Sequence, residues 1–128
     1  MSMDVVGKHF AKIEQMMQQF VEAQPLVASV SIVDGDGVLV GGYPKNPDDE
    51  LSLGAMVSAA TAASPTIVGE LNSNKLYSMV VLADKGGILF YQLPDNLVLA
   101  VKLAKPGKIG ALFAACQGFI KQVLSLPV

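Results

Sequence analysis

From Val6 the large apolar side chains recur at Phe10, Ile13, Met17 and Phe20, at spacings of four, three, four and three that lay one apolar stripe along a helix. The pattern predicts a first helix over residues 4–22, which Pro25 prevents from continuing. Leu26 to Val33 then sets Val27, Val30, Ile32 and Val33 among small residues, a composition suited to a strand buried on at least one face. Asp34-Gly35-Asp36-Gly37 turns the chain, and Val38 to Tyr43 resumes a β-type run that halts at Pro44. The two runs read as a hairpin.

Asn46-Pro47-Asp48-Asp49-Glu50 supplies a capping side chain, a proline at the first helical position and three carboxylates in the first turn. Orphan amides and the helix dipole favour that arrangement, so a second helix starts here. Its body, Leu51 to Ala63, is crowded with small residues that let another helix or a sheet approach closely. Pro65 breaks the pattern, so the helix either ends near Ala63 or continues, kinked, to about Asn72; one kinked helix is the expected form. Leu76 to Ala83, Gly87 to Leu93 and Leu97 to Ala104 are three strand-like runs, separated by Asp84-Lys85-Gly86-Gly87 and Pro94-Asp95-Asn96. After Pro106-Gly107 the apolar positions Ile109, Leu112, Phe113, Cys116, Phe119, Ile120, Val123 and Leu124 restore the helical period, giving a last helix over residues 107–126. The predicted architecture is a single α+β domain over residues 1–128: a five-stranded antiparallel sheet flanked by helices, in the order α-β-β-α-β-β-β-α.

Composition adds a partner to this picture. Of 128 residues 52% are hydrophobic and only 16% charged, well below the roughly 25% usual for soluble domains, so part of the surface is expected to be covered. Nine Lys against eleven Asp and Glu give a net charge of -2, which provides no excess of positive charge to attract nucleic acid. Arg is absent, which excludes an arginine finger or a bidentate guanidinium clamp supplied by this chain. The single Cys116 cannot form an internal disulfide, and Met1 to His9 reads as the polar start of a helix and not as a signal peptide, so the cytoplasm is the expected compartment. Apolar runs such as Leu97 to Val101 are about five residues long against the roughly 20 of a membrane span, and no direct membrane insertion is expected.

Candidate chemistry is sparse. Nucleophilic catalysis and zinc binding both need clusters that one His and one Cys cannot make; Cys116 falls on the apolar stripe of the last helix, and His9 reads as a partly exposed surface residue. Asp34-x-Asp36-Gly37 resembles the opening of a calcium loop, but Leu39 and Lys45 stand where such a loop needs a glycine and a bidentate Glu, so it reads as a hairpin turn. The glycines from Gly35 to Gly41 miss the dinucleotide fingerprint and lead into a strand instead of a helix. Pro106-Gly107-Lys108 at a helix start is a weak anion-binding candidate, and Lys102, Lys105 and Lys108 read as a solvated basic rim. Met16, Met17 and Met56 read as core or interface filler. No enzyme is expected and no cofactor or metal is called for.

With these landmarks in place, the chain resembles the roadblock family, small dimeric domains related to dynein light chains and to scaffolds and regulators of Ras-like GTPases. The resemblance rests on residues 30–40, from Val30-Ser31-Ile32-Val33 through Asp34-Gly35-Asp36-Gly37 to Val38-Leu39-Val40, which look like the family's first hairpin. It rests also on Leu99-Ala100-Val101 followed by Lys108-Ile109-Gly110-Ala111-Leu112, which look like its last strand and final helix entry. It implies a profilin-like fold and a homodimer, or a heterodimer with a paralogue, in which second helices pack antiparallel and third strands pair edge to edge. On this chain that interface would use Gly54, Ala55, Ser58, Ala59 and Ala62 of the second helix and Leu76, Tyr77, Ser78, Met79, Val80 and Val81 of the third strand. Pro65 departs from the long unbroken second helix of the family. The implied function is non-catalytic: regulating or scaffolding a small Ras-like GTPase or a motor or signalling complex. Two other readings stand beside it: a purely structural subunit without a GTPase, and a PAS-like or GAF-like small-ligand sensor, for which Tyr43, Tyr77, Tyr91, Ser29, Ser31 and Ser78 are the available polar anchors.

Overall fold

A computed structural model describes residues 7–105, 107 and 109–127, with the backbone alone over residues 47–49. The elements follow the predicted order: α1 (Phe10–Ala23), β1 (Val27–Val33), β2 (Leu39–Tyr43), α2 (Pro47–Glu70), β3 (Ser78–Leu82), β4 (Gly87–Gln92), β5 (Val98–Leu103) and α3 (Gly110–Leu124). The strands form one antiparallel sheet in the order β2-β1-β5-β4-β3, so β2 and β3 are its edges. The predicted start of the first helix lies outside the described residues. The last helix opens at Gly110, three residues later than expected, and Leu76 and Tyr77 precede β3. As an edge strand β3 has only β4 to pair with, and the contact from the Gln92 amide to the Tyr77 carbonyl continues the ladder just beyond it.

Two-residue alternation divides the sheet into two faces. Val30 and Ile32 of β1, Leu89 and Tyr91 of β4, and Leu99 and Val101 of β5 point to one face, where they meet Ile13, Met17 and Phe20 of α1 and Leu112, Cys116, Phe119 and Val123 of α3. The helical stripes read from the sequence are therefore the buried faces, and the Phe20 and Phe119 rings, with centroids 5.0 Å apart, join the two helices. Val33, Ile88, Phe90, Val98 and Ala100 form the other face, under Leu53 and Val57 of α2. Burying a side chain of this kind stabilises the fold by about 1.5–3 kcal/mol.

The hairpin turns are the predicted ones. Asp34 Oδ1 accepts the amides of Asp36 and Val38 at 2.9 and 3.0 Å, and Gly37 takes the positive φ of 83° that lets the turn close. Between β4 and β5, Asp95 and Asn96 adopt φ of 61° and 59°, while the Gln92 side-chain amide donates to the Leu93 and Leu97 carbonyls.

α2 is one helix of 24 residues that runs through Pro65. Proline lacks the amide that would donate to the Thr61 carbonyl, at a cost of about 3 kcal/mol in a helix interior. Both residues are exposed, so water can satisfy that carbonyl and the helix continues.

Candidate interaction surface

From Leu51 to Gly69, α2 carries no ionisable side chain. Leu53, Gly54, Val57 and Val68 are buried and form its inward stripe. Gly54 belongs to the fold itself: a Cβ built there would lie 2.2 Å from the Gly37 carbonyl oxygen, so the helix backbone touches the β1–β2 turn directly. Ser58 is half-buried beside the same turn, its Oγ 2.5 Å from where a Cβ on Gly37 would stand. Ala55, Ala59 and Ala62 are exposed and, at i, i+4 and i+7, share one outward stripe.

Large apolar side chains border that stripe. Leu51 is 87% exposed and Leu71 69%, and Met56 and Ile67 also face water. At the sheet edge, Tyr77, Met79 and Val81 point to the α2 side of the sheet by strand alternation; Met79 packs on the core there, while Tyr77 is 76% exposed and Val81 50%. Val80 packs against the opposite core, and Leu76 and Ser78 are half-buried. Of the expected interface residues, Ala55, Ala59, Ala62, Tyr77 and Val81 thus lie open, and the rest are partly or, for Gly54, fully engaged within the chain. Leu51, Met56 and Ile67 of α2 and Leu71 just beyond it extend the surface past those residues; in the sequence they are apolar positions off the inward stripe. By length and composition alone, Glu50–Glu70 would also suffice to cross a bilayer, a property hidden from a count of unbroken apolar runs by the Gly, Ser, Thr and Pro that interrupt it.

Among the described residues no group of three His, Cys, Asp or Glu is placed to hold a metal. His9 hydrogen-bonds through Nε2 to the Pro127 carbonyl. Cys116 is fully buried, and burial pushes its thiol up to about 11, with an opposing, smaller contribution from the Tyr91 hydroxyl; burial likewise raises the Tyr91 phenol. A thiol raised from 9.0 in this way leaves stability intact below pH 9 and removes it as pH rises towards 11, because the unfolded chain loses the proton first. Urea melts across that interval are expected to show a loss of about 2–3 kcal/mol, reduced in Cys116→Ala. Lys102, expected on a solvated rim, is instead half-buried on the α2 side of the sheet, while Pro106 and Lys108 of the anion-binding candidate lie outside the described residues.

A family model described as Roadblock/LC7 domain matches residues 13–103, from α1 to the end of β5. The chain belongs to the Roadblock/LC7 domain family. Solved structures repeat the fold: a Roadblock/LC7 domain from Streptomyces avermitilis has 17% identity and a TM-score of 0.70, over 87% of this chain and 93% of that one. MglB of Myxococcus xanthus, also 17% identical, reaches a TM-score of 0.76 over 91% of this chain and 86% of its own. An MglB structure described as having a tetrameric arrangement is 12% identical, with a TM-score of 0.74 over 88% and 85% of the two chains. Comparison with curated proteins finds no match. The matched region of this roadblock domain holds all five strands, α2 and most of α1, and α3 follows it in the chain.

Proposed function

We propose that this roadblock domain pairs through α2 and β3, with itself or with a paralogue, and that the pair acts in the cytoplasm as a non-catalytic regulator or scaffold of a small Ras-like GTPase. The observation that carries the reading is the coincidence on one side of the molecule of an uncharged helix face and an unpaired strand edge. Small residues at Ala55, Ala59 and Ala62 allow a twin helix to approach closely, and pairing of β3 with its copy satisfies an edge that otherwise invites aggregation. The GTPase enters through the family, whose members regulate or tether such proteins. Because the chain has no Arg, any acceleration of GTP hydrolysis works by holding the switch region of the GTPase in a competent arrangement, with its own residues stabilising the developing charge.

Two measurements test this. Light scattering after size exclusion is expected to give a stable species at twice 13.4 kDa across a range of concentrations. GTP-loaded Ras-like GTPases of the source organism are then expected to bind the pair more tightly than their GDP-loaded forms. A paralogue-free monomer that binds neither nucleotide state would overturn the proposal.

A further inference from the structure

In the single chain β3 pairs only with β4, and its outer edge stays open. The Tyr77 carbonyl accepts the Gln92 amide, and further along the Ala83 amide donates to the Gly86 carbonyl. Backbone direction alternates along a strand, so Tyr77, Met79, Val81 and Ala83 direct their hydrogen-bonding groups to the β4 side. Ser78, Val80 and Leu82 therefore aim theirs outward, at the open edge. Side chains alternate with the same period: Met79 packs on the α2 side with Tyr77 and Val81 beside it, and Val80 packs on the opposite core.

We infer that the partner on this edge is a second copy of this chain, with the two β3 strands antiparallel and Met79 opposite Met79. This rests on the proposed pairing through α2 and β3 and adds its partner and its register. A two-fold axis normal to the sheet keeps both α2 helices on one side, so only residues of the same face can stand opposite each other. With Met79 on the axis, Tyr77 faces Val81 of the partner subunit on the α2 side, and Leu76, just before the strand, faces Leu82 of the partner subunit on the other. The outward groups of Ser78 and Val80 then bond those of Val80 and Ser78 across the axis. Every exposed apolar residue of the edge, Tyr77, Val81 and Leu82, thus meets an apolar one. Centring the axis on Val80 would set Leu82 against Ser78 and Leu76 against Asp84, and would bring Lys75 opposite Lys85. Centring it on Ser78 would set Val81 against Lys75, and centring it on Val81 would set Tyr77 against Lys85. A strand that complements its own reverse in one register needs no paralogue.

The test is disulfide trapping of the full chain with oxidised glutathione, run beside light scattering. The parent, whose only thiol is the buried Cys116, is the blank. Opposite residues of a pair that exchanges no hydrogen bonds have Cα atoms about 4.5 Å apart, within the span of a disulfide, whereas Val80 and its copy would stand about 8 Å apart, beyond it. Met79→Cys is expected to cross-link at least tenfold faster than Val80→Cys. A mixture of Tyr77→Cys and Val81→Cys, left to exchange subunits, is expected to cross-link at least tenfold faster than either alone, and it serves should Met79→Cys fail to fold. Faster cross-linking of Val80→Cys, no cross-linking in variants that scatter light as pairs, or a parent that pairs only once a paralogue is added would each overturn the inference and leave the pairing standing. A parent that stays monomeric with and without a paralogue would remove the pairing as well.

Discussion

Gly54→Ala is expected to destabilise the domain by about 2 kcal/mol, lowering its melting temperature by roughly 6–10 °C. On an exposed helix the same change stabilises by about 1 kcal/mol, because alanine loses less backbone entropy than glycine. At Gly54 the methyl would stand 2.2 Å from the Gly37 carbonyl oxygen, a backbone atom that cannot rotate aside. Either α2 lifts from the β1–β2 turn, loosening Leu53 and Val57 from the sheet, or the turn itself moves, and Gly37 at φ 83° has few alternatives. Gly118→Ala in α3 is the matched control: Gly118 is exposed and nothing lies within 4 Å of the added Cβ, so this variant should melt higher than the parent. Differential scanning calorimetry of the two variants decides the matter, since equal shifts would mean that the glycine contact does not hold α2 in place.

That contact also shows where sequence reading runs out. α1 and α3 were legible because each has one apolar stripe, and Ile13, Met17, Phe20, Leu112, Cys116 and Phe119 all reached the core. α2 has no such contrast: Ala, Gly, Ser and Thr surround it, so its existence and its start could be read but not the side it turns inward. Gly54 therefore looked like a partner-facing small residue, and only the arrival of Gly37, distant in sequence and brought in by the hairpin, gave it another task. Ser29 and Ser31 were visible as possible polar anchors. That they share a cleft with Lys102 depends on β5 lying beside β1, in the middle of the sheet, and no local pattern carries that order. That some apolar surface would await a partner was legible from composition, because a chain with so few charges must cover some of it with something else; which side of α2 it lies on was not.

What covers it is open to a direct test, because Ala59 and Val81 are exposed in the single chain and central to the proposed pair. Lysine at either position should leave the monomer fold intact, since lysine is a good helix former and a common guard on edge strands. In the pair, each lysine would be buried close to its twin or to uncharged neighbours, and an unpartnered buried charge costs about 3–5 kcal/mol. A penalty of that size raises the dissociation constant by at least about 100-fold. The double variant Ala59→Lys with Val81→Lys is therefore expected to scatter light as a single 13.4 kDa species at concentrations where the parent is paired, with unchanged circular dichroism. Ala114→Lys, on the exposed side of α3, adds the same charge away from the surface and should stay paired. If the double variant remained a dimer, pairing would have to run through the other sheet edge at β2, and the uncharged face of α2 would then be left for the GTPase or for a membrane.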